Sequence, residues 1–142
     1  MTDLDHVRRT CGQWLQQTFE GVYSNAAGEL IVPDIGTTSI LVSFEVLQTG
    51  QVLVDVRAAV LENVHITRER YEHIAWNGAV FHMGALSLHA GDQGNWLEFS
   101  YAILSDGLDS RLMPQVAAVV GQTADQLARD LQPRFGGTFL TL

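Results

Sequence analysis

The sequence predicts a single α+β domain in which an antiparallel sheet of about five strands packs on helices, in the order α-β-β-β-α-β-β-α. Three observations carry that expectation. Apolar residues recur at steps of three and four near both ends of the chain, and alternate with a period of two through its middle. No internal repeat, low-complexity tract or long linker divides residues 1–142.

A first helix is expected over residues 5–20, where Leu4, Val7, Cys11, Trp14, Leu15 and Thr18 draw one stripe beside Phe19. Cys11 sits on that stripe and reads as a small core hydrophobe whose pKa burial would raise. Gly21 and residues 24–28 turn the chain into a short apolar run, Leu30-Ile31-Val32, closed by Pro33. A proline there suits a strand end or sheet edge, where no ladder donor is needed.

From Ile40 the period is two: Ile40, Val42, Phe44 and Val46 form one strand, and Val52, Val54, Val56, Ala58 and Val60 the next. A two-residue turn at Thr49-Gly50 would set Phe44 opposite Asp55 and mix the faces. A three-residue loop, Gln48-Thr49-Gly50, instead pairs Val46 with Val52, Phe44 with Val54 and Val42 with Val56, with Gly50 in the left-handed position.

Thr67 is placed to cap a second, short helix, with Ile66 and Tyr71 as a hydrophobic staple over Arg68-Glu69-Arg70. Asn77-Gly78 is its expected stop, and residues 79–84 an apolar connector under the sheet. Leu86 and Leu88, the loop Gly91-Asp92-Gln93-Gly94-Asn95, then Leu97, Phe99, Tyr101 and Ile103 read as a second hairpin. The last helix follows from Leu112, Val116, Val119, Val120, Thr123, Leu127 and Leu131, with Pro114 in its first turn and Pro133 and Gly136-Gly137 ending it.

Composition narrows the function by exclusion. Sixteen acidic residues against eight basic ones give a net charge of −8, which repels a phosphate backbone and an anionic bilayer, so neither nucleic acid nor membrane is an expected partner. The start lacks a signal peptide and no segment is long and apolar enough to span a bilayer, so a cytoplasmic location is expected. A lone cysteine excludes an internal disulfide.

Chemical motifs are missing in the same way. His6, His65, His73, His82 and His89 show no metal-binding spacing, and the glycine-rich pieces Gly91-Asp92-Gln93-Gly94 and Gly136-Gly137 lack the lysine and strand-to-helix context of phosphate loops. Asp55 and Glu45 are expected to face solvent, while Asp106 and Asp109 fit a turn and a helix cap. No catalytic residue, metal site or cofactor is expected, and the chain is not expected to be an enzyme. The aromatic residues Trp14, Trp76, Trp96, Tyr23, Tyr71 and Tyr101 lack a basic groove for stacking nucleobases and read as core or interface.

The element order, with several local stretches, resembles the type III secretion chaperones and the related YbjN-like family. The stretches are Phe81-His82-Met83-Gly84-Ala85-Leu86 after a helix ending near Asn77, Asp106-Gly107-Leu108-Asp109, Thr123-Ala124-Asp125-Gln126-Leu127 and Phe135-Gly136-Gly137. The resemblance implies a non-enzymatic, chaperone-like domain that holds an extended peptide or a protein client, often as a homodimer. Residues on the strand faces opposite the core fit that implication: Leu41, Leu47, Leu53, Leu61, Trp96 and Leu104 intersperse with Ser43, Glu45, Asp55, Arg57 and Glu98, a greasier face than solvent alone would ask for. These six are the candidate partner-binding residues. The alternative is a structural or regulatory domain that uses the same face for self-association and has no peptide groove.

Overall fold

The structure, a computed structural model, describes residues 3–77, 83–92 and 94–140. Helix α1 spans Leu4–Gln16, followed by strands β1 (Tyr23–Ser24), β2 (Leu30–Ile35), β3 (Thr38–Val46) and β4 (Val52–Leu61). Helix α2 (Arg68–Asn77), strands β5 (Ala85–Gly91) and β6 (Gly94–Leu104), a 3₁₀ turn (Ser105–Gly107) and helix α3 (Leu112–Phe135) complete it. The α+β class holds, and the sheet gains a sixth strand because Tyr23–Ser24 pairs with Leu30 and Ile31. All pairings are antiparallel, in the order β1-β2-β3-β4-β6-β5.

The β3–β4 register is the expected one: Val46, Phe44 and Val42 lie opposite Val52, Val54 and Val56. The Leu47 amide donates to the Gln51 carbonyl at 2.8 Å, closing a loop in which Gly50 takes φ +85°. The alternation puts Val52, Val54, Val56, Ala58 and Val60 into the core, where the buried residues of all three described helices join them. The second hairpin is tighter than expected, since the ladder runs as far as Gly91 opposite Gly94.

The helices differ in detail. Asp3 caps α1, its carboxylate accepting from the Asp5 amide at 3.0 Å. The helix stops at Gln16 rather than residue 20, because Gln16, Gln17 and Thr18 offer nothing to bury and are exposed. In α2 the Thr67 hydroxyl accepts from the Arg70 amide as expected, but Tyr71 stands 59% exposed, so the staple's helical half faces outward. The expected stop at Gly78 and most of the 79–84 connector lie outside the described residues. Helix α3 runs past Pro133 to Phe135 and ends where Gly136 adopts φ +68°. Its buried stripe runs through Met113, Val116, Ala117, Val120, Ala124, Ala128 and Leu131, which rotates Val119 outward. Asp109 accepts from the amides of Arg111 and Leu112 and so caps the helix start.

Candidate functional site

The sheet face turned away from the helices is built by strand alternation. Ile31, Leu41, Arg57 and Ser100 form one cross-strand row, Ser43, Asp55 and Ala102 the next, and Glu45, Leu53 and Leu104 the third. On the other side of the first row, Ala59 lies opposite Glu98, and Glu98 opposite Ser87. This face carries an open groove of about 920 Å³. Tyr23, Ile31 and Leu41 bound it on one side, Arg57 and Ala59 lie in the middle, and Trp96, Glu98 and the β5–β6 turn bound the other. Glu62, Asn63 and Leu140 also line it. The chain end reaches this position because Thr138 bridges back to Glu62, with the Glu62 amide donating to the Thr138 carbonyl at 2.8 Å.

A polar network crosses the face beside the groove. Arg57 Nη2 donates to Ser43 Oγ at 2.7 Å and lies 3.5 Å from Glu29 Oε2, while its Nε is 3.7 Å from Asp55 Oδ2. Ser43 donates to Glu29 at 2.7 Å and Asn25 donates to its other oxygen at 3.0 Å. The Asn25 and Ser43 hydrogen bonds, aided by the Arg57 charge, hold the Glu29 carboxyl below its ordinary range against the opposing effect of burial. Burial pushes Asp55 the other way, outweighing Arg57, and Glu45 adds to the rise. Asp55 is therefore half-buried and paired rather than solvent-facing, whereas Glu45 is exposed. The arginine of this face is matched by two carboxylates, Asp55 on β4 and Glu29 in the turn before β2.

The six candidate residues separate into four settings. Leu41 and Trp96 line the groove. Leu53 and Leu104 pair across β4 and β6 beyond the polar network, both half-buried. Leu47 is half-buried at the hairpin end. Leu61 is not on this face: it is 0% exposed and belongs to the core. The cause is a β-bulge, since two steps along β4 from Ala59 to Leu61 match one step along β6 from Glu98 to Leu97, and the extra residue turns Leu61 inward beside Val60.

The sequence offered His89 and Glu98 separately, without bringing them to Trp96. Its indole stacks on the His89 imidazole, with centroids 5.1 Å apart and planes 12° from parallel. His89 Nε2 is 2.9 Å from Ser87 Oγ and 3.6 Å from Glu98 Oε1. A serine, a histidine and a glutamate meet here, but both contacts fall on one ring nitrogen. A nucleophilic relay needs the acid and the hydroxyl on opposite nitrogens. Among the described residues no three His, Cys, Asp or Glu side chains gather into a metal-holding group, and no helix is long and apolar enough to cross a membrane. Glu62, Asn63 and Leu140 had no signal in the sequence, because a bridge between residues 62 and 138 brings them together.

No family model matches the chain, and no curated protein matches it. Among solved structures, the crystal structure of YbjN from E. coli, a proposed transcription regulator, is similar to this fold with a TM-score of 0.63 over 93% of each chain, at 12% sequence identity. The likeness establishes a YbjN-like fold and matches the YbjN half of the resemblance read from the sequence.

Proposed function

We propose that the chain is a non-enzymatic protein-binding module that holds an extended peptide or a partner protein on the open face of its sheet. One observation carries the reading: a groove of about 920 Å³ with Ile31, Leu41 and Tyr23 along one side, on the face opposite the helices. Clustered apolar surface of this kind on a folded domain marks an interaction site.

The reading is that of an adaptor in the cytoplasm, working in the manner its sequence resemblance to type III secretion chaperones implies. The similar YbjN fold, with its proposed role in transcription, fits an adaptor whose regulatory effect passes through a protein partner. A net charge of −8 opposes direct contact with nucleic-acid phosphates.

Pull-down from native cells, with bound proteins identified by mass spectrometry, tests the reading. Changing Leu41 and Leu53 together to Asp is expected to abolish recovery of the partner and to lower the melting temperature without unfolding the chain, because both side chains are half-buried and an acidic group at position 53 would lie opposite Glu45. Collapse of the fold, or undiminished recovery, would overturn it. Light scattering on the same pair of proteins reports the alternative: a dimer that the two substitutions dissolve, with no other partner recovered, would assign the face to self-association.

A further inference from the structure

We infer that the groove selects a basic peptide, with an arginine or lysine roughly three to four residues from a bulky apolar side chain. The inference rests on the proposed peptide-binding role and names the partner's chemistry.

The groove is divided across the strand order. Tyr23 on β1, Ile31 on β2 and Leu41 on β3 make one half apolar. Glu62 after β4, Asp92 in the β5–β6 turn and Glu98 on β6 make the other half acidic. Arg57 is the only cation among the described lining residues, and Glu29 and Asp55 already answer its charge. The acidic half therefore keeps an excess of negative charge.

Glu98 adds a second, independent observation. Its side chain is only 13% exposed, yet among the described residues no arginine pairs with it, and the nearest basic group is the His89 imidazole at 3.6 Å, an ion pair only when that ring is protonated. A carboxylate so far withdrawn from water gains from a cation brought alongside. Trp96 lines the groove two residues before Glu98, and an indole beside carboxylates is a favourable setting for a guanidinium or ammonium group.

Strand spacing sets the peptide pattern. With neighbouring strands about 4.8 Å apart, Leu41 on β3 stands roughly 10 Å and Ile31 on β2 roughly 14 Å from the β6 row, which an extended chain at about 3.3 Å per residue spans in three to four residues. The net charge of −8 would speed encounter with such a peptide and slow encounter with an acidic one.

Selection from displayed random peptides of about twelve residues, long enough to cross the groove, tests this on the intact chain. The expected consensus carries Arg or Lys three or four positions from Leu, Ile, Phe or Trp. Fluorescence anisotropy with a labelled selected peptide is then expected to show binding loosened about 10-fold by Glu62→Gln with Glu98→Gln, and weakened by added salt. Asp92→Asn, in an exposed turn, gives the same direction at smaller size without touching the fold. A neutral or acidic consensus, or equal binding by a peptide whose Arg is replaced by Gln, overturns the cation preference and leaves the groove's role standing. No enrichment over a Leu41→Asp control overturns both.

Discussion

Cys11 shows how one residue carries the link from sequence to energetics. It falls on the helical stripe of α1, is 2% exposed in the core, and burial pushes its thiol from 9.0 up to about 11. Because the folded thiol keeps its proton where the unfolded one has lost it, the native state binds more protons between those two values. The associated stability is complete below about pH 9 and is lost as the pH rises toward 11, by up to about 3 kcal/mol. Urea unfolding of the wild type and Cys11→Ala across this window checks it: the difference in stability between the two should shift against the wild type as pH rises, and parallel curves would refute the assignment. The native thiol should also resist alkylation at neutral pH and react at once in denaturant. Cys11 was readable because a stripe at steps of three and four needs only local sequence. Leu61 was not, because its face depends on a bulge against β6, about 36 residues downstream, and period-two counting carries straight through a bulge. The Trp96–His89 stack depends in the same way on hairpin register, here the one that sets Gly91 opposite Gly94.

At the scale of elements, α3 explains what patterning can and cannot give. Its existence follows from Val116, Val120, Leu127 and Leu131, but small residues that a hydrophobic count overlooks set its rotation. Ala117, Gly121, Ala124 and Ala128 are all buried, and they bring the helix backbone close to the sheet. A β-carbon added at Gly121 would lie 2.7 Å from Ile35 Cγ2 and 2.9 Å from Ile40 Cδ1, both closer than real contacts allow. Gly121→Ala therefore sets two effects against each other: a helix-propensity gain of about 1 kcal/mol and an overpacking cost of about 1–3 kcal/mol. The cost should win, because Ile40 is fully buried and the partly buried Ile35 packs against the same core, so neither β-branched side chain can give way freely. Thermal unfolding is expected to show a lower melting temperature for Gly121→Ala. An increase would mean that α3 stands farther from β2 and β3 than described. A second contact holds the same end of the molecule together: Asp125 of α3 accepts from the Thr37 amide in the β2–β3 turn at 2.8 Å. That tether joins residues 37 and 125, so no local pattern announces it.

For the whole molecule, the strands could be read but their neighbours could not. Alternation identifies each strand's inner face, yet it is silent on whether β5 or β6 lies beside β4. The structure places β6 there, giving β4 a partner on each side, β3 and β6, while β5 takes the outer position. β4 is also the strand whose inward row, four valines and Ala58, is buried throughout, and α3 packs over it. Strand order thus ranks the backbone by the number of layers that must open before water arrives. Amide exchange reads that ranking directly, since core strands open only with the whole domain and edges open locally. The slowest-exchanging amides are expected in β4, with those of the two-residue β1 and the outer strand β5 exchanging orders of magnitude faster. Exchange in β4 should slow further only when global stability rises. If β5 amides proved as protected as those of β4, the outer position of that strand would be wrong. The open face and its groove would then have to be redrawn, because the acidic half of the groove takes its geometry from the β5–β6 hairpin lying at the margin of the sheet.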